Sequence, residues 1–349
     1  MGFSVTAPQF AAPFDVEMGE TILDAALRAG LAYPHGCRSG NCGACKSALI
    51  EGEVEMSPHS EFALSPAERA NGLILACRAV PWSDCSVRIL DADETVAHPL
   101  RKMQCRVVDV ADLTHDIRRV RLAIEEGGPF TFTAGQYANI RFADLPSRDY
   151  SMANRPDQPL LEFHIRLVPG GAVTPFVREQ VKAGDSVRVE GPFGTSYLRD
   201  KHTGPILALA GGSGLAPIKS IVETALAGGK RQPITLYFGV RAERDLYGEA
   251  EFQALMATYG NFRFVAVLSS PDGPTVRRTG FLADAVRADL LAAGPTALDG
   301  AKAYLAGPPV MVESAVAALA DLGVGRQDCH ADAFYTEADK AKIAAASAG

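Results

Sequence analysis

The chain has 349 residues, of which 47% are hydrophobic and 21% charged, a composition typical of a globular protein with two or three domains. A net charge of −7 argues against nucleic acid and anionic membrane surfaces as partners. No apolar run approaches the roughly 20 residues that cross a bilayer, and the first 20 residues do not resemble a secretory signal. With only seven cysteines, the sequence predicts a cytoplasmic protein in a reducing compartment.

The first predicted domain, residues 1–93, combines one helix with several short strands. Thr21 and Asp24 form a capping-box pattern that begins a helix running through Ala29, and Gly30 ends it. Alternating or apolar segments predict strands at 3–7, 12–16, 48–50 and 87–90. One helix over a small mixed sheet is typical of a β-grasp fold.

Four cysteines in this domain have the spacing of an iron–sulfur site. Cys37, Cys42 and Cys45 form C-x4-C-x2-C, and Cys77 lies downstream in LILACRA. This is the plant-type pattern for a [2Fe–2S] cluster held by four thiolates, whereas zinc sites use other spacings. The interspersed glycines suit a loop whose backbone must approach the cluster closely; they are Gly36, Gly40 and Gly43.

The negative charge is concentrated in the same domain. Residues 1–98 contain 6 basic and 13 acidic residues, so this segment carries the whole net charge of the chain. An acidic surface of this kind favours docking to a basic protein partner. The alternative interpretation is a solvated acidic face without a docking role.

The rest of the chain changes pattern twice. Residues 94–101 lack apolar periodicity and predict a linker. Short alternating segments over 102–202 predict a six-stranded antiparallel β-barrel, and continuous apolar runs with intervening helices over 203–335 predict a Rossmann-like parallel α/β domain. Residues 336–349 are alanine-rich and predict a flexible tail. The predicted fold class is therefore multi-domain, α+β and α/β.

The barrel segment contains residues suited to a flavin. Tyr150 offers an aromatic ring, Ser151 a hydrogen-bond donor, and Arg148 or Arg166 part of the positive charge for a pyrophosphate. The segment 170–174 offers a turn that opens a helix, where backbone N–H groups bind phosphate. The alternative is that these common residues only build the barrel.

The α/β segment contains a dinucleotide motif. The predicted strand 206–210 leads into G-x-G-x-x-P, from Gly212 to Pro217, and then into a helix. Glycines let the backbone approach a pyrophosphate at the helix N-terminus, although the motif can also serve as a structural turn. A second tight turn at 306–309, near Met311, lies at the carboxyl edge of the sheet, where ligands bind in such folds.

Taken together, the cysteine motif, RDYS, AGGSGLAP and HADAFY resemble the reductases of bacterial aromatic-ring oxygenases. The resemblance covers about residues 3–335 and includes the naphthalene, terephthalate and carbazole dioxygenase reductases. It implies cluster ligation by the four cysteines. The FAD-binding residues that it implies are Arg148, Tyr150, Ser151, His164, Arg166, Gly171, Ala172, Val173 and Thr174.

For the nucleotide, the resemblance implies binding by Gly212, Ser213, Gly214, Pro217, Arg241, Gly307, Pro308 and Met311. Ser151 and Phe334 are implied as the catalytic residues. Ser151 would hydrogen-bond near flavin N5, and Phe334 would cover the flavin until nicotinamide displaces it. Many members have cysteine where this chain has Ala306, a difference expected to affect the rate of the reaction and not its type.

The implied activity is electron transfer from NADH through FAD and the [2Fe–2S] cluster to an oxygenase or an intermediate ferredoxin. Partners in cytochrome P450 or di-iron monooxygenase systems are the alternative. Two other classes of function compete with this interpretation: a self-contained flavin oxidase or diaphorase, and a ferredoxin fusion without turnover. The loop 241–245 mixes arginines with acids, which predicts that NADH is preferred and NADPH tolerated.

Overall fold

The computed structural model describes residues 2–90, 94, 96 and 98–346. The chain forms two compact units, Met1–Ala97 with Tyr335–Gly349, and His98–Phe334. Part of the predicted linker at 94–101 lies outside the described residues. Within those residues, no helix combines the length and apolar character that spanning a membrane requires.

The first unit contains a five-stranded mixed sheet packed against one helix. Its strands are β1 (Phe3–Thr6), β2 (Phe14–Val16), β3 (Lys46–Glu51), β4 (Val54–Met56), β5 (Leu73–Leu75), β6 (Ala79–Pro81) and β7 (Cys85–Ile89), and its first two helices are α1 (Ile22–Arg28) and α2 (Pro66–Ala70). The sheet order is β2-β1-β7-β3-β5, and β4 pairs with β6 separately. The central pair β1–β7 is parallel, and the other neighbouring pairs of this sheet are antiparallel in the described residues.

The helix α1 begins where the sequence predicted. The Thr21 hydroxyl accepts the Asp24 N–H at 3.2 Å, which satisfies one of the free donors of the first turn. Four side chains of α1 are then buried in the core of the unit, at Ile22, Leu23, Ala25 and Ala26. The β-grasp prediction is confirmed.

The second unit begins with a six-stranded antiparallel sheet. Its strands are β8 (Arg101–Asp112), β9 (Ile117–Glu126), β10 (Tyr137–Phe142), β11 (Arg148–Ser151), β12 (Leu161–Arg166) and β13 (Ser186–Phe193), and the helix α3 (Thr174–Glu179) follows β12. The order is β11-β10-β13-β8-β9-β12. A bridge between Met152 and Phe163 joins the two edge strands, so the sheet closes into the predicted barrel.

The remainder of this unit is a six-stranded parallel sheet with helices. The strands are β14 (Ile206–Gly211), β15 (Ile234–Val240), β16 (Phe262–Leu268), β17 (Arg278–Thr279), β18 (Lys302–Gly307) and β19 (Cys329–Ala333), and the helices are α4 (Leu215–Ala227), α5 (Glu249–Thr258), α6 (Leu282–Ala293) and α7 (Pro309–Asp321). The order β17-β16-β15-β14-β18-β19 confirms the Rossmann-like prediction. Every residue of the central strand β14 is buried, as expected for a strand covered on both faces.

One hydrophobic core joins the barrel to the parallel sheet. It contains Ile117, Ala134 and Leu198 from the barrel together with Leu215 and Ile218 from α4. The glycine turn that precedes α4 is therefore held close to the barrel. The predicted boundary between 202 and 203 stays a prediction, because the two parts form a single compact unit.

The C-terminal segment, predicted as a flexible tail over residues 336–349, contains a helix, and its flexibility stays a prediction. Helix α8 spans Glu337–Ala346, and residues 347–349 lie outside the described residues. Thr336 and Asp339 cap the helix in both directions: the Thr336 hydroxyl accepts the Asp339 N–H at 3.2 Å, and the Asp339 carboxylate accepts the Thr336 N–H at 2.9 Å. This reciprocal cap and the helix propensity of alanine explain why the segment folds.

Candidate cluster site, flavin face and nucleotide cavity

The four predicted cluster ligands lie in two segments that meet in the first unit. All four are free thiols. The Asn41 N–H donates to the sulfur of Cys37 at 3.1 Å, the Cys37 N–H donates to the sulfur of Cys42 at 3.3 Å, and the Cys77 N–H donates to the sulfur of Cys45 at 3.5 Å. Backbone donors directed at sulfur stabilise thiolates, so this arrangement fits a negatively charged cluster.

Two glycines keep this loop tight. A Cβ at Gly36 would lie 2.9 Å from the Cys42 sulfur, and Gly40 has φ +78° with its Cβ position 2.8 Å from Cγ of Arg78. A side chain at either position would therefore disturb the ligand loop. The local geometry fits the [2Fe–2S] group that the spacing predicts.

Tyr150 and Ser151 lie at the end of β11, on the barrel. The Tyr150 hydroxyl is buried and has no hydrogen-bond partner among the described residues, and burial raises the pKa of this phenol. Its ring packs edge-on against Phe142, with 6.4 Å between centroids. Because buried polar groups are almost always paired, an orphan hydroxyl here fits a ligand that supplies its partner.

Ser151 connects this face to the parallel sheet. Its hydroxyl donates to the Asp332 carboxylate at 3.2 Å. Phe334 lies two residues after Asp332, directly beyond the end of β19. The Phe334 N–H donates to the Gly307 carbonyl at 2.9 Å. The two predicted catalytic residues are thus connected through the end of β19.

The two predicted phosphate-binding arginines differ in their surroundings. Arg148 donates to the Ser147 carbonyl at 2.8 Å and has no carboxylate partner among the described residues. Arg166 donates from Nε to Asp116 at 2.8 Å, while its Nη1 faces the glycine turn, 3.2 Å from the Cβ position of Gly212. Burial opposes ionisation of Asp116, but the Arg166 charge prevails and lowers the pKa of that carboxyl.

The segment of Gly171, Ala172 and Val173 forms the turn before α3. It is closed by Thr174, whose hydroxyl accepts the Val168 N–H at 2.9 Å. The Thr174 side chain is therefore used to fold the turn, and the turn as a whole remains the predicted flavin contact.

His164 is buried and contacts Tyr247 and Glu162. Its side chain is only 3% exposed, and both ring nitrogens contact protein groups, Nδ1 with the Tyr247 hydroxyl at 3.2 Å and Nε2 with Glu162 at 3.1 Å. Burial lowers the pKa of His164, although the contact with Glu162 opposes this effect. The flavin contact of His164 that the resemblance implies stays a prediction.

The nucleotide turn rests on backbone contacts. Gly212 has φ +55°, a Cβ at Gly214 would lie 2.1 Å from the Ala306 carbonyl oxygen, and a Cβ at Gly307 would lie 2.8 Å from the Gly211 oxygen. Ser213 and Gly214 form a short 3-10 turn that leads directly into α4, and Pro217 is buried in the first turn of that helix. Only glycine allows the two strand ends to approach this closely.

A cavity of about 190 Å³ lies beside this turn, at the carboxyl ends of β14, β15 and β16. Five predicted ligand-binding residues line it, namely Arg166, Gly212, Arg241, Pro308 and Met311. Ser213, Gly214, Pro217 and Gly307 do not line it and instead shape the neighbouring turn. Ligands bind at this edge of parallel sheets, so the location fits the dinucleotide motif.

Sequence reasoning missed three residues of the site. Asp116 holds Arg166, Asp332 contacts Ser151, and Tyr247 joins His164 to the glycine turn. Each acts on a residue at least 35 positions away, so no local pattern reveals the contact. Only Asp332 had a nearby signal, because it lies two residues before Phe334.

Comparisons with known proteins agree with this geometry. The description "2Fe-2S iron-sulfur cluster binding domain" matches residues 9–81, "Oxidoreductase FAD-binding domain" matches residues 104–197, and "Oxidoreductase NAD-binding domain" matches residues 208–317. Each match includes the residues predicted for that group, with Phe334 and the segment after 317 lying outside.

The relatives extend over nearly the whole chain. The reductase component of the naphthalene 1,2-dioxygenase system of Pseudomonas putida is 40% identical over 317 residues, 91% of this chain and 94% of that protein. The reductase component of phenol 2-monooxygenase from Pseudomonas sp. is 36% identical and covers 100% of this chain and 99% of that protein.

Among solved structures, the cytochrome P450 reductase of Amycolatopsis has a TM-score of 0.77 and 38% identity, covering 95% of this chain and 98% of that one. The ferredoxin reductase of carbazole 1,9a-dioxygenase has a TM-score of 0.70 and 31% identity, covering 96% of this chain and 99% of that one. The chain therefore belongs to the family of flavin- and iron–sulfur-dependent reductase components, which transfer electrons from NAD(P)H through FAD and a [2Fe–2S] cluster.

Proposed function

We propose that this chain is the reductase component of an oxygenase system that acts on aromatic compounds, with NADH as the preferred electron donor. The relatives named for naphthalene, phenol and carbazole oxygenases support an aromatic substrate for the partner. The likeness to the Amycolatopsis cytochrome P450 reductase favours a second candidate, in which a P450 is the acceptor. A di-iron monooxygenase partner remains the further alternative.

One observation carries the proposal: the flavin face and the nucleotide cavity adjoin each other. Ser151 contacts Asp332 on β19, the same strand leads to Phe334, and Phe334 is bonded to Gly307 beside the cavity wall. Direct hydride transfer requires two bound rings to be held in contact with water excluded. The arrangement supports hydride transfer, a reaction that needs the two rings to be positioned and does not need a general acid or base.

The residues of the second unit have separate roles in this proposal. When bound, FAD supplies the conversion between hydride transfer and single-electron transfer, and the cluster supplies single-electron transport. Tyr150 and Arg148 would hold the flavin. The Ser151 hydroxyl, which donates to Asp332 in this structure, would have to turn its one hydrogen away from that carboxylate to donate near the reactive nitrogen of the flavin. Phe334 occupies the nicotinamide position until the nucleotide arrives. Arg166, oriented by Asp116, supplies charge for a phosphate group.

The cluster site belongs to the first unit. Cys37, Cys42, Cys45 and Cys77 hold the iron atoms, and the backbone N–H groups directed at their sulfurs stabilise negative charge. Such hydrogen bonds are one of the ways in which a protein sets the potential of a cluster.

The proposed NADH preference rests on the charges at the cavity rim. Arg241 is exposed there and has no carboxylate partner among the described residues, while Asp245 lines the same cavity. Arg277 and Arg278, at the start of β17, are held by Glu249 and Asp289 respectively. One uncommitted cation beside a carboxylate favours a ribose hydroxyl over a second phosphate.

Steady-state kinetics with both nucleotides test this preference. We expect a higher kcat/KM for NADH than for NADPH, and a similar loss with both in Arg241→Ala, because Arg241 serves as a general contact. Arg244→Ala is the matched control, since Arg244 lies on the same loop outside the cavity lining. A higher kcat/KM for NADPH that Arg241→Ala selectively removes would show the preference to be wrong.

The partner is tested by reconstitution. The purified holoprotein is combined in turn with an aromatic-ring dioxygenase, a phenol monooxygenase and a cytochrome P450 that demethylates aromatic ethers, and NADH-driven product formation is measured. We expect turnover with an aromatic-ring oxygenase. Turnover with the P450 alone would replace the first candidate by the second.

A further inference from the structure

Tyr247 joins the nucleotide turn to the barrel. It precedes α5 and is 7% exposed, and its ring packs edge-on against His164 and Phe238, with centroid distances of 5.4 and 5.5 Å. Its hydroxyl lies 3.2 Å from Nδ1 of His164 and 3.2 Å from the carbonyl oxygen of Gly212. A single buried hydroxyl therefore bridges β12 and the glycine turn.

The protonation of the neighbouring groups makes this hydroxyl the donor. Burial opposes ionisation of Glu162, but the contact with His164 and the charge of Lys219 hold the pKa of its carboxyl well below the usual range. Glu162 also accepts a hydrogen bond from Arg121 at 2.8 Å. It is an ionised, acceptor-only group, so Nε2 of His164 must carry the hydrogen that the two share.

The other ring nitrogen of His164, Nδ1, can then only accept a hydrogen bond. Burial lowers its pKa, which favours the neutral ring, and a neutral ring protonated at Nε2 has only a lone pair at Nδ1. The carbonyl of Gly212 is also an acceptor. Tyr247 is thus the one donor among these three groups, and its hydrogen serves both acceptors.

The Gly212 carbonyl matters because the peptide group is planar and trans. Holding this oxygen toward Tyr247 directs the N–H of Ser213 to the opposite side of the turn. Gly212 lines the nucleotide cavity and faces Arg166. Its φ of +55° belongs to a region in which glycine has several accessible conformations. The Gly212 carbonyl accepts the Leu215 N–H within the turn, and the Tyr247 hydroxyl is a second donor to it from outside the turn.

We propose that Tyr247 is a positioning residue for the nicotinamide nucleotide, fixing the Gly212–Ser213 peptide in the orientation that the pyrophosphate requires. The proposal rests on the proposed function, because it takes NAD(P)H to be the ligand of the cavity, and it adds a residue outside the glycine motif. The tyrosine acts through the backbone of the turn and does not touch the reacting atoms.

The test is Tyr247→Phe, which removes one hydroxyl and keeps the ring. Rapid anaerobic mixing with NADH gives the dissociation constant and the limiting rate of flavin reduction, and inhibition by ADP-ribose gives the affinity for the part that contains the pyrophosphate. We expect the dissociation constant for NADH and the inhibition constant for ADP-ribose each to rise about threefold to tenfold, the effect of losing one hydrogen bond. The FAD content and the limiting rate should stay near the wild-type values.

Tyr237→Phe is the matched control. Tyr237 is another buried tyrosine of the same unit, and its hydroxyl donates to Asp289 at 3.3 Å, away from the cavity lining. It should lower the unfolding midpoint by an amount similar to Tyr247→Phe without changing either dissociation constant. A general loss of stability would change the constants in both variants equally.

The inference is overturned by unchanged constants in Tyr247→Phe, by equal shifts in the two variants, or by loss of FAD from Tyr247→Phe alone. Failure of NADH and NADPH to reduce the wild-type flavin would instead refute the proposed function before any variant is compared. A rise in both constants in Tyr247→Phe alone supports the assignment.

Discussion

Removal of the orphan hydroxyl of Tyr150 is expected to have opposite effects on two properties, the stability of the FAD-free protein and its affinity for FAD. In the chain without FAD this oxygen is buried and has no partner among the described residues. Removing a buried polar group that lacks a partner relieves its desolvation penalty, whereas removing one that is paired to a ligand loses a hydrogen bond. We therefore expect Tyr150→Phe to stabilise the FAD-free protein and to weaken FAD binding.

The magnitudes follow from the two contributions. Relief of the desolvation penalty contributes about 1 kcal/mol at the low end of its range, which raises the unfolding midpoint of a domain of this size by about 2–4 °C. Loss of the hydrogen bond to FAD contributes about 1 kcal/mol more to the change in affinity. The sum of about 2 kcal/mol corresponds to a dissociation constant for FAD about 30-fold higher.

Both quantities are measurable on the same preparation. FAD is removed, unfolding of the wild-type and variant chains is followed against temperature, and FAD is then titrated back by fluorescence. Tyr237→Phe is the control with the opposite expectation, because its hydroxyl is paired with Asp289 and its removal should lower the midpoint. The reasoning is refuted if Tyr150→Phe also lowers the midpoint and leaves the FAD affinity unchanged.

Two further predictions concern the first unit. Cys77→Ser should abolish the cluster absorption and cytochrome c reduction while NADH-dependent ferricyanide reduction survives; normal cytochrome c activity without the cluster would contradict the electron route. Electron transfer to the oxygenase should slow as NaCl screens the acidic surface of the first unit. Four acidic residues of this surface lack a basic partner among the described residues, namely Glu51, Glu53, Glu55 and Asp84. A rate that does not depend on the salt concentration would favour the alternative, a solvated acidic face without a docking role.

The features predicted from the sequence are those encoded over a few residues. The spacing of Cys37, Cys42 and Cys45 and the glycine turn before α4 are local patterns with one dominant structural solution. The helix α1 is likewise set by its own cap. The strands β4, β5 and β6 were not predicted. Each has only three residues and pairs with a strand more than 20 residues away, so no local pattern distinguishes it from a loop. The equally short β2 pairs with the neighbouring strand β1.

His164 shows why the remainder could not be predicted. Every residue of β12 except Arg166 is buried, since one face of the strand lies on the barrel core and the other contacts Tyr247 and Lys219 of the parallel-sheet domain. An alternating sequence such as LEFHIR predicts one exposed face. Burial by a domain more than 50 residues away leaves no trace in the local pattern, so the sequence could not show that the His164 side chain is buried at this junction.

The backbone contacts beneath the nucleotide cavity divide the site into a part that cannot vary and a part that can. Where Gly214 of the turn meets Ala306 of β18, and Gly307 of β18 meets Gly211 of β14, the contacts involve peptide groups alone, and any added side chain separates them. Donor choice can therefore be redesigned only at the rim, in the loops 241–245 and 269–281. Combinatorial libraries restricted to these loops should retain folded, FAD-containing protein while sampling different nucleotides.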